Sequence, residues 1–292
     1  MLIPRYWARA TARVERSPVG GVREVASWRW SETSAEEAAA RAAVAVSALA
    51  ARLDAGERFP DRYLYGDRRP LREEIVREIA ADRGSPAAAV TRNSYGCLVL
   101  NTARAAFVDV DLDTVEPPRR LGWTLFSVVF GASAPGRRAN ETIAPPQLLH
   151  DWLEEDGARG ARVYRTAAGF RYLLTGAPVE PASDDADRML AALGSDPLYR
   201  RLCRAQNCFR ARLTPKPWRC GARSPRGGYP RLGRRAVSEF ERWLRSYDRK
   251  RAGYAACRFV GALGAAEVAP EIAPIVELHD RWSDAQTGLP LA

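Results

Sequence analysis

Apolar and polar positions change rhythm repeatedly along the chain, and the rhythm predicts short strands and hairpins broken by single helices. Tyr6 to Val14 and Val22 to Trp30 alternate as strands do, and the Pro and Gly pair in residues 16–21 supplies turn geometry, so a hairpin is expected. Ser34 stands three residues before Glu37 as a capping box, and Ala42, Val46, Leu49 and Leu53 follow at helical spacing up to Gly56. Leu71, Ile75, Val76 and Ile79 form a second helical stripe, opened by Asp67 and Pro70 and ended by Gly84. Ala88 to Arg92, Gly96 to Asn101 and Ala105 to Asp113 read as three strands of an antiparallel meander. Leu121 to Phe130 fits a buried strand or a short helix, and Ser133 to Pro146 fits a surface loop.

Downstream, Pro146 opens a helix with Leu148, Leu149, Trp152 and Leu153 on one face, stopped by Gly157. Ala161 to Thr166 and Gly169 to Thr175 form a second hairpin around Ala167 and Ala168. Ser183 caps a helix carrying Met189, Leu190 and Leu193, and Asp196-Pro197 starts another. Cys208 to Leu213 reads as a strand that Pro215 and Pro217 end, and Thr214 to Arg235 reads as a loop. Ser238 and Glu241 suggest a capping box for a helix with Phe240, Trp243, Leu244 and Tyr247. Tyr254 to Leu263 is a further strand and Pro270 to Trp282 a last helix. This order lacks the strand and helix alternation of a parallel sheet, so the expected class is α+β with a largely antiparallel sheet of meanders and hairpins and packed helices. An N-terminal unit over 1–86 and an α+β core over 87–292 are expected, with one continuous domain as the alternative.

Composition changes this picture in three ways. With 46% hydrophobic and 27% charged residues over 292 positions, the chain is an ordinary globular sequence able to bury a sizeable core. The net charge of +10 points to a polyanionic partner. Only Lys216 and Lys250 are lysine among the 45 basic residues, a skew that a GC-rich genome produces, so the net charge carries the message and arginine identity does not. Five scattered cysteines, no signal peptide in Met1 to Arg13 and no apolar run of about 20 residues favour a reduced cytoplasm without a membrane span.

Candidate chemistry centres on Ala105 to Asp113. Strand alternation puts Asp109, Asp111 and Asp113 on one face and Val108, Val110 and Leu112 on the other. Acids so spaced repel one another, which points to a bound divalent cation, Mg²⁺ or Mn²⁺, or to a solvated strand end. In the hairpin Val163 to Leu174, Gly169 permits close backbone approach, and Arg165, Thr166 and Arg171 have the chemistry to hold phosphate. Cys208 to Arg219 is the densest basic and aromatic stretch, with Arg210, Arg212, Lys216 and Arg219 for a phosphate backbone and Trp218 as a stacking platform. In the loop Arg58 to Arg69, aromatics again alternate with arginines. Cys203, Cys208 and Cys220, with His279 or His150, offer a loose zinc set, and core packing is the alternative. No Walker or Rossmann glycine loop is present.

The Asp-x-Asp at 109–111, followed some fifty residues later by Arg165-Thr-x-x-Gly-x-Arg171, resembles the archaeo-eukaryotic primase superfamily and its primase-polymerase branch. The resemblance spans roughly Val90 to Thr175. It implies that Asp109 and Asp111 are catalytic metal ligands and that Arg165, Gly169 and Arg171 border the triphosphate, with Thr166 and Tyr172 as further candidate nucleotide-binding residues of the same hairpin. Tyr172 occupies the place of the family's nucleotide-binding histidine, and arginines occupy that of its third acid at Phe209 to Leu213. The implied activity is metal-dependent phosphate chemistry on nucleotides or nucleic acid, in weakened form. The alternative is a nucleic-acid-binding protein without turnover.

Overall fold

The computed structural model describes residues 1–14, 23–57, 70–80, 86–112 and 146–292. Among these lie ten strands and six α-helices, an α+β fold whose strand pairings are all antiparallel. The turn at 16–21, the loop at 58–69, Leu121 to Phe130, nearly all of Ser133 to Pro146 and Asp113 fall outside the described residues.

Strands β1 (Tyr6–Val14) and β2 (Arg23–Ser31) pair as the expected hairpin, and helix α1 (Ala35–Asp54) packs on them. Their small core is Val14, Val25, Val46, Ala50 and Leu53. Ser34 caps α1 by accepting from the Glu37 amide at 3.1 Å. The reciprocal half of the box is replaced: the Ser31 hydroxyl accepts from the Ser34 amide at 3.2 Å and donates to the Glu37 carboxylate.

Next come β3 (Glu74–Ala80), β4 (Pro86–Arg92) and β5 (Leu98–Thr102). The segment predicted as a second helix is therefore strand β3. Ile75 and Ile79 are four apart, an interval that fits one helix face and one strand face alike, and β-branched Ile75, Val76 and Ile79 favour the strand once β4 is there to pair. The first sheet, in the order β3-β4-β5-β9, adds β9 (Phe209–Arg212) beside β5, and it runs across positions 86 and 87.

The acidic strand β6 (Phe107–Asp111) is not the third strand of that meander. It leaves the first sheet and pairs with β8 (Gly169–Leu174) in a second sheet, ordered β10-β7-β8-β6, with β7 (Gly160–Thr166) and β10 (Cys257–Gly264). Among the described residues β6 is an edge strand, not a central one. One core joins the two sheets, including Val90 and Leu100 of the first and Phe107, Phe170 and Leu173 of the second. Helices α2 (Gln147–Glu154), α3 (Asp184–Ala192), α4 (Pro197–Gln206) and α6 (Ala273–Trp282) add Leu149, Leu190, Cys203 and Ile275 to it. Helix α5 (Arg234–Arg251) starts after Gly233, a turn before the expected Ser238 box, because Arg234, Arg235 and Ala236 are themselves good helix formers. No helix among the described residues is long and apolar enough to cross a membrane.

Candidate phosphate site where two sheet edges meet

The edge strand of each sheet, β6 and β9, faces the other, and two side chains join them. Tyr199 of α4, held by the Asp196 cap, brings its hydroxyl to 3.0 Å from the Phe107 carbonyl of β6, and it accepts from the Arg210 amide of β9 at 3.1 Å. Arg171 of β8 reaches beneath both strands. Its guanidinium donates to both oxygens of Asp109 at 2.7 and 3.0 Å and to the Arg212 carbonyl at 2.8 Å. Asp109 and Arg171 are directly opposed in register, so the acidic strand and the hairpin are in direct contact.

That contact changes the reading of the acids. Arg171 is only 1% exposed. Burial opposes ionisation of Asp109, but the adjoining guanidinium outweighs it and holds the carboxyl below its ordinary value. Asp111, exposed and without an ion pair among the described residues, is pushed up by desolvation and by Asp109. Around Asp111 the charges are mixed, with the acids Asp109 and Asp196 beside the cations Lys216 and Arg212. A Mg²⁺ or Mn²⁺ ion needs several hard oxygen donors. Here both Asp109 oxygens are engaged by Arg171, which leaves Asp111 without a second free carboxylate from its own strand among the described residues. They contain no cluster of three or more His, Cys, Asp or Glu suited to a metal.

The hairpin residues separate. Thr166 accepts from the Gly169 amide at 3.0 Å and shapes the turn, and Arg165 donates to the Gly169 carbonyl and lies over the Phe170 ring at 5.2 Å. Gly169 is needed for strand pairing: a Cβ there would stand 1.9 Å from the Val110 carbonyl. Tyr172 projects to the opposite face from Arg171, opposite Val108, and is 1% exposed. The side chain facing the acids is thus that of Arg171, and Tyr172 is a core residue whose hydroxyl has no hydrogen-bond partner among the described residues.

The basic stretch also divides. Arg210 donates to both oxygens of buried Glu73 at 2.8 Å, so its guanidinium is engaged in an ion pair. Arg212, Lys216 and Arg219 form no ion pair among the described residues, yet all three are half-buried and act on one another. Desolvation, then repulsion from Arg212 and Arg219, pushes the Lys216 ammonium down to about 8, against the opposing pull of Asp111. Trp218 packs edge-on to Tyr95 at 5.3 Å between ring centres, with the Lys216 ammonium 5.6 Å from its ring. The structure thereby merges two sites that the sequence suggested separately, the acidic strand and the basic stretch.

Compared with protein-family models, curated proteins and solved structures, the chain matches none. Cys203, Cys208 and Cys220 are buried and belong to no cluster of three or more His, Cys, Asp or Glu that could hold a metal among the described residues. Sequence reasoning missed the support under Arg171. His279, fully buried, lies 3.4 Å from the guanidinium, 3.8 Å from the Cys257 thiol and 3.3 Å from Asp280. A Cys, His and Asp so arranged suggest a nucleophile and its base, but Cys257 and His279 have no exposed surface for a substrate. The adjacency of His279 and Asp280 on a helix was the one signal in the sequence.

Proposed function

We propose that this chain binds the phosphate backbone of nucleic acid through Arg212, Lys216 and Arg219, with Trp218 beside them for stacking, and that it does so without turnover. The convergence of three half-buried cations, none with an ion-pair partner among the described residues, carries the reading. Half-burial of like charges is unfavourable unless an anion joins them, and phosphate oxygens do so through charge-assisted hydrogen bonds. Asp111 offsets part of this potential. The Arg171 contact on Asp109 favours binding over the metal-dependent alternative.

Fluorescence anisotropy with a labelled single-stranded oligonucleotide across about 50 to 200 mM salt tests this. Replacing Arg212, Lys216 and Arg219 together by Ala is expected to weaken binding at low salt and to lower the log–log salt slope by about 2, given about 0.7 per neutralised phosphate on single strands. Absence of binding by the wild type, or an unchanged slope in the variant, overturns the proposal.

Binding is also expected to depend on pH. An anion stabilises the charged ammonium, so affinity holds below about 8, where free Lys216 is protonated, and declines as pH rises past that value. Lys216→Arg keeps its charge and should flatten the alkaline limb. An identical limb in that variant would assign the decline to another group.

A further inference from the structure

Beyond Arg219 the chain continues into an open groove of about 550 Å³ between residues 222–226 and helix α5. Arg223, Arg226, Arg242 and Lys250 line it, and the carboxylate on its wall, Glu239, is already paired with Arg235 at 2.9 Å. Arg223, Arg226 and Arg242 make no ion pair among the described residues. Four cations against one acid, which faces Arg235 and also acts on Arg242 and Arg226, leave the groove with an excess of positive charge, a place for an anion.

The groove is fixed to the first site. Tyr247 of α5 donates to the Pro215 carbonyl at 2.6 Å, Trp243 donates to the Arg223 carbonyl at 2.7 Å, and Lys250 donates to the Gly221 carbonyl. These bonds clamp the segment holding Lys216, Trp218 and Arg219 onto the helix. From the other side, the 93–97 turn touches both places. Tyr95 packs on Trp218, while Gly96, at φ +85°, lies so close to Trp243 that a Cβ would stand 2.1 Å from its ring. The rings here stack mainly on one another. Trp243 is stacked on Phe240 at 5.4 Å and on Tyr247 at 5.0 Å, so its ring is engaged within the helix. The lining cations then remain, with the chemistry to hold phosphates.

We infer that this groove is a second phosphate-backbone site, continuous with the first, so that one nucleic-acid strand runs from Arg212 and Lys216 past Arg219 to Arg226 and Arg242. The inference rests on the reading above, and it adds a length requirement: a short strand fills the first site alone and a longer one reaches the groove.

Anisotropy with single strands of about 4 and about 12 nucleotides, within the range of common site sizes, tests it. In Arg226→Ala/Arg242→Ala, affinity for the longer strand is expected to fall about tenfold while that for the shorter one stays unchanged. Both side chains lie at the surface, and unchanged thermal melting would confirm that the fold is kept. If the longer strand binds this variant as tightly as wild type, while the triple variant at 212, 216 and 219 loses affinity, the groove inference is overturned and the first site stands. If the triple variant binds both strands normally, the first reading fails and continuity with it.

Discussion

Asp109→Ala is expected to destabilise the protein by about 3 kcal/mol, at the lower end of the range for removing one partner of a buried ion pair. The lower end applies because Asp109 keeps 38% of its side-chain surface exposed while Arg171 keeps 1%, so water screens the acid but not the guanidinium. Without Asp109 the Arg171 charge remains buried beside His279, with one carbonyl for compensation. Asp109→Leu with Arg171→Met removes both charges and should recover much of the loss, since a packed apolar pair often replaces a buried ionic one without cost. Urea unfolding midpoints for the single and double variants measure this. The pH dependence has a definite sign. Asp109 ionises below its unfolded value, so its contribution is complete above about pH 4 and is lost as pH falls through the folded value. A single variant within about 1 kcal/mol of wild type would show that the pair does not hold the two sheet edges together, and would reopen Asp109 to a metal.

This pair also shows what the sequence could and could not say. Strand alternation gave the shared face of Asp109 and Asp111, because side-chain direction is a local property with a period of two. It placed β7 and β8 in one hairpin for the same reason, since a short turn leaves little freedom. Which strand lies beside which is not local. β6 follows β5 after a short link and so read as its neighbour, but it belongs to the other sheet, and only the packing around Tyr199 and Arg171 reveals it. The assignment of Tyr172 to the nucleotide side failed by one position, which on a strand means the opposite face. The helix expected around Leu71 to Ile79 failed because an interval of four satisfies both periods. Arg210 and Glu73 are separated by 137 positions, and no pattern along the chain could pair them.

Arg210 and Arg212 sit two apart on one strand and share a face, yet they are expected to behave in opposite ways. Arg210 is held by both oxygens of Glu73, whose carboxylate also accepts from buried Thr91, and the two side chains are 17% and 10% exposed. Glu73→Ala leaves a guanidinium unpaired in that setting, at an expected cost of about 3–5 kcal/mol. Arg210→Ala strands a buried carboxylate instead, and it should cost a comparable amount while leaving the affinity of the folded fraction for an oligonucleotide unchanged. Arg212→Ala removes a side chain with no ion-pair partner among the described residues and keeps the backbone carbonyl that Arg171 uses. It should alter the unfolding midpoint little and weaken oligonucleotide binding with a shallower salt slope. Chemical unfolding and anisotropy on the same three variants separate the roles. If Arg210→Ala weakens binding at unchanged stability, the Glu73 pair is not what occupies Arg210 in solution. The phosphate surface would then extend along β9 toward Glu73, and Arg212 would lose its distinction as the cation left available at the meeting of the two sheets.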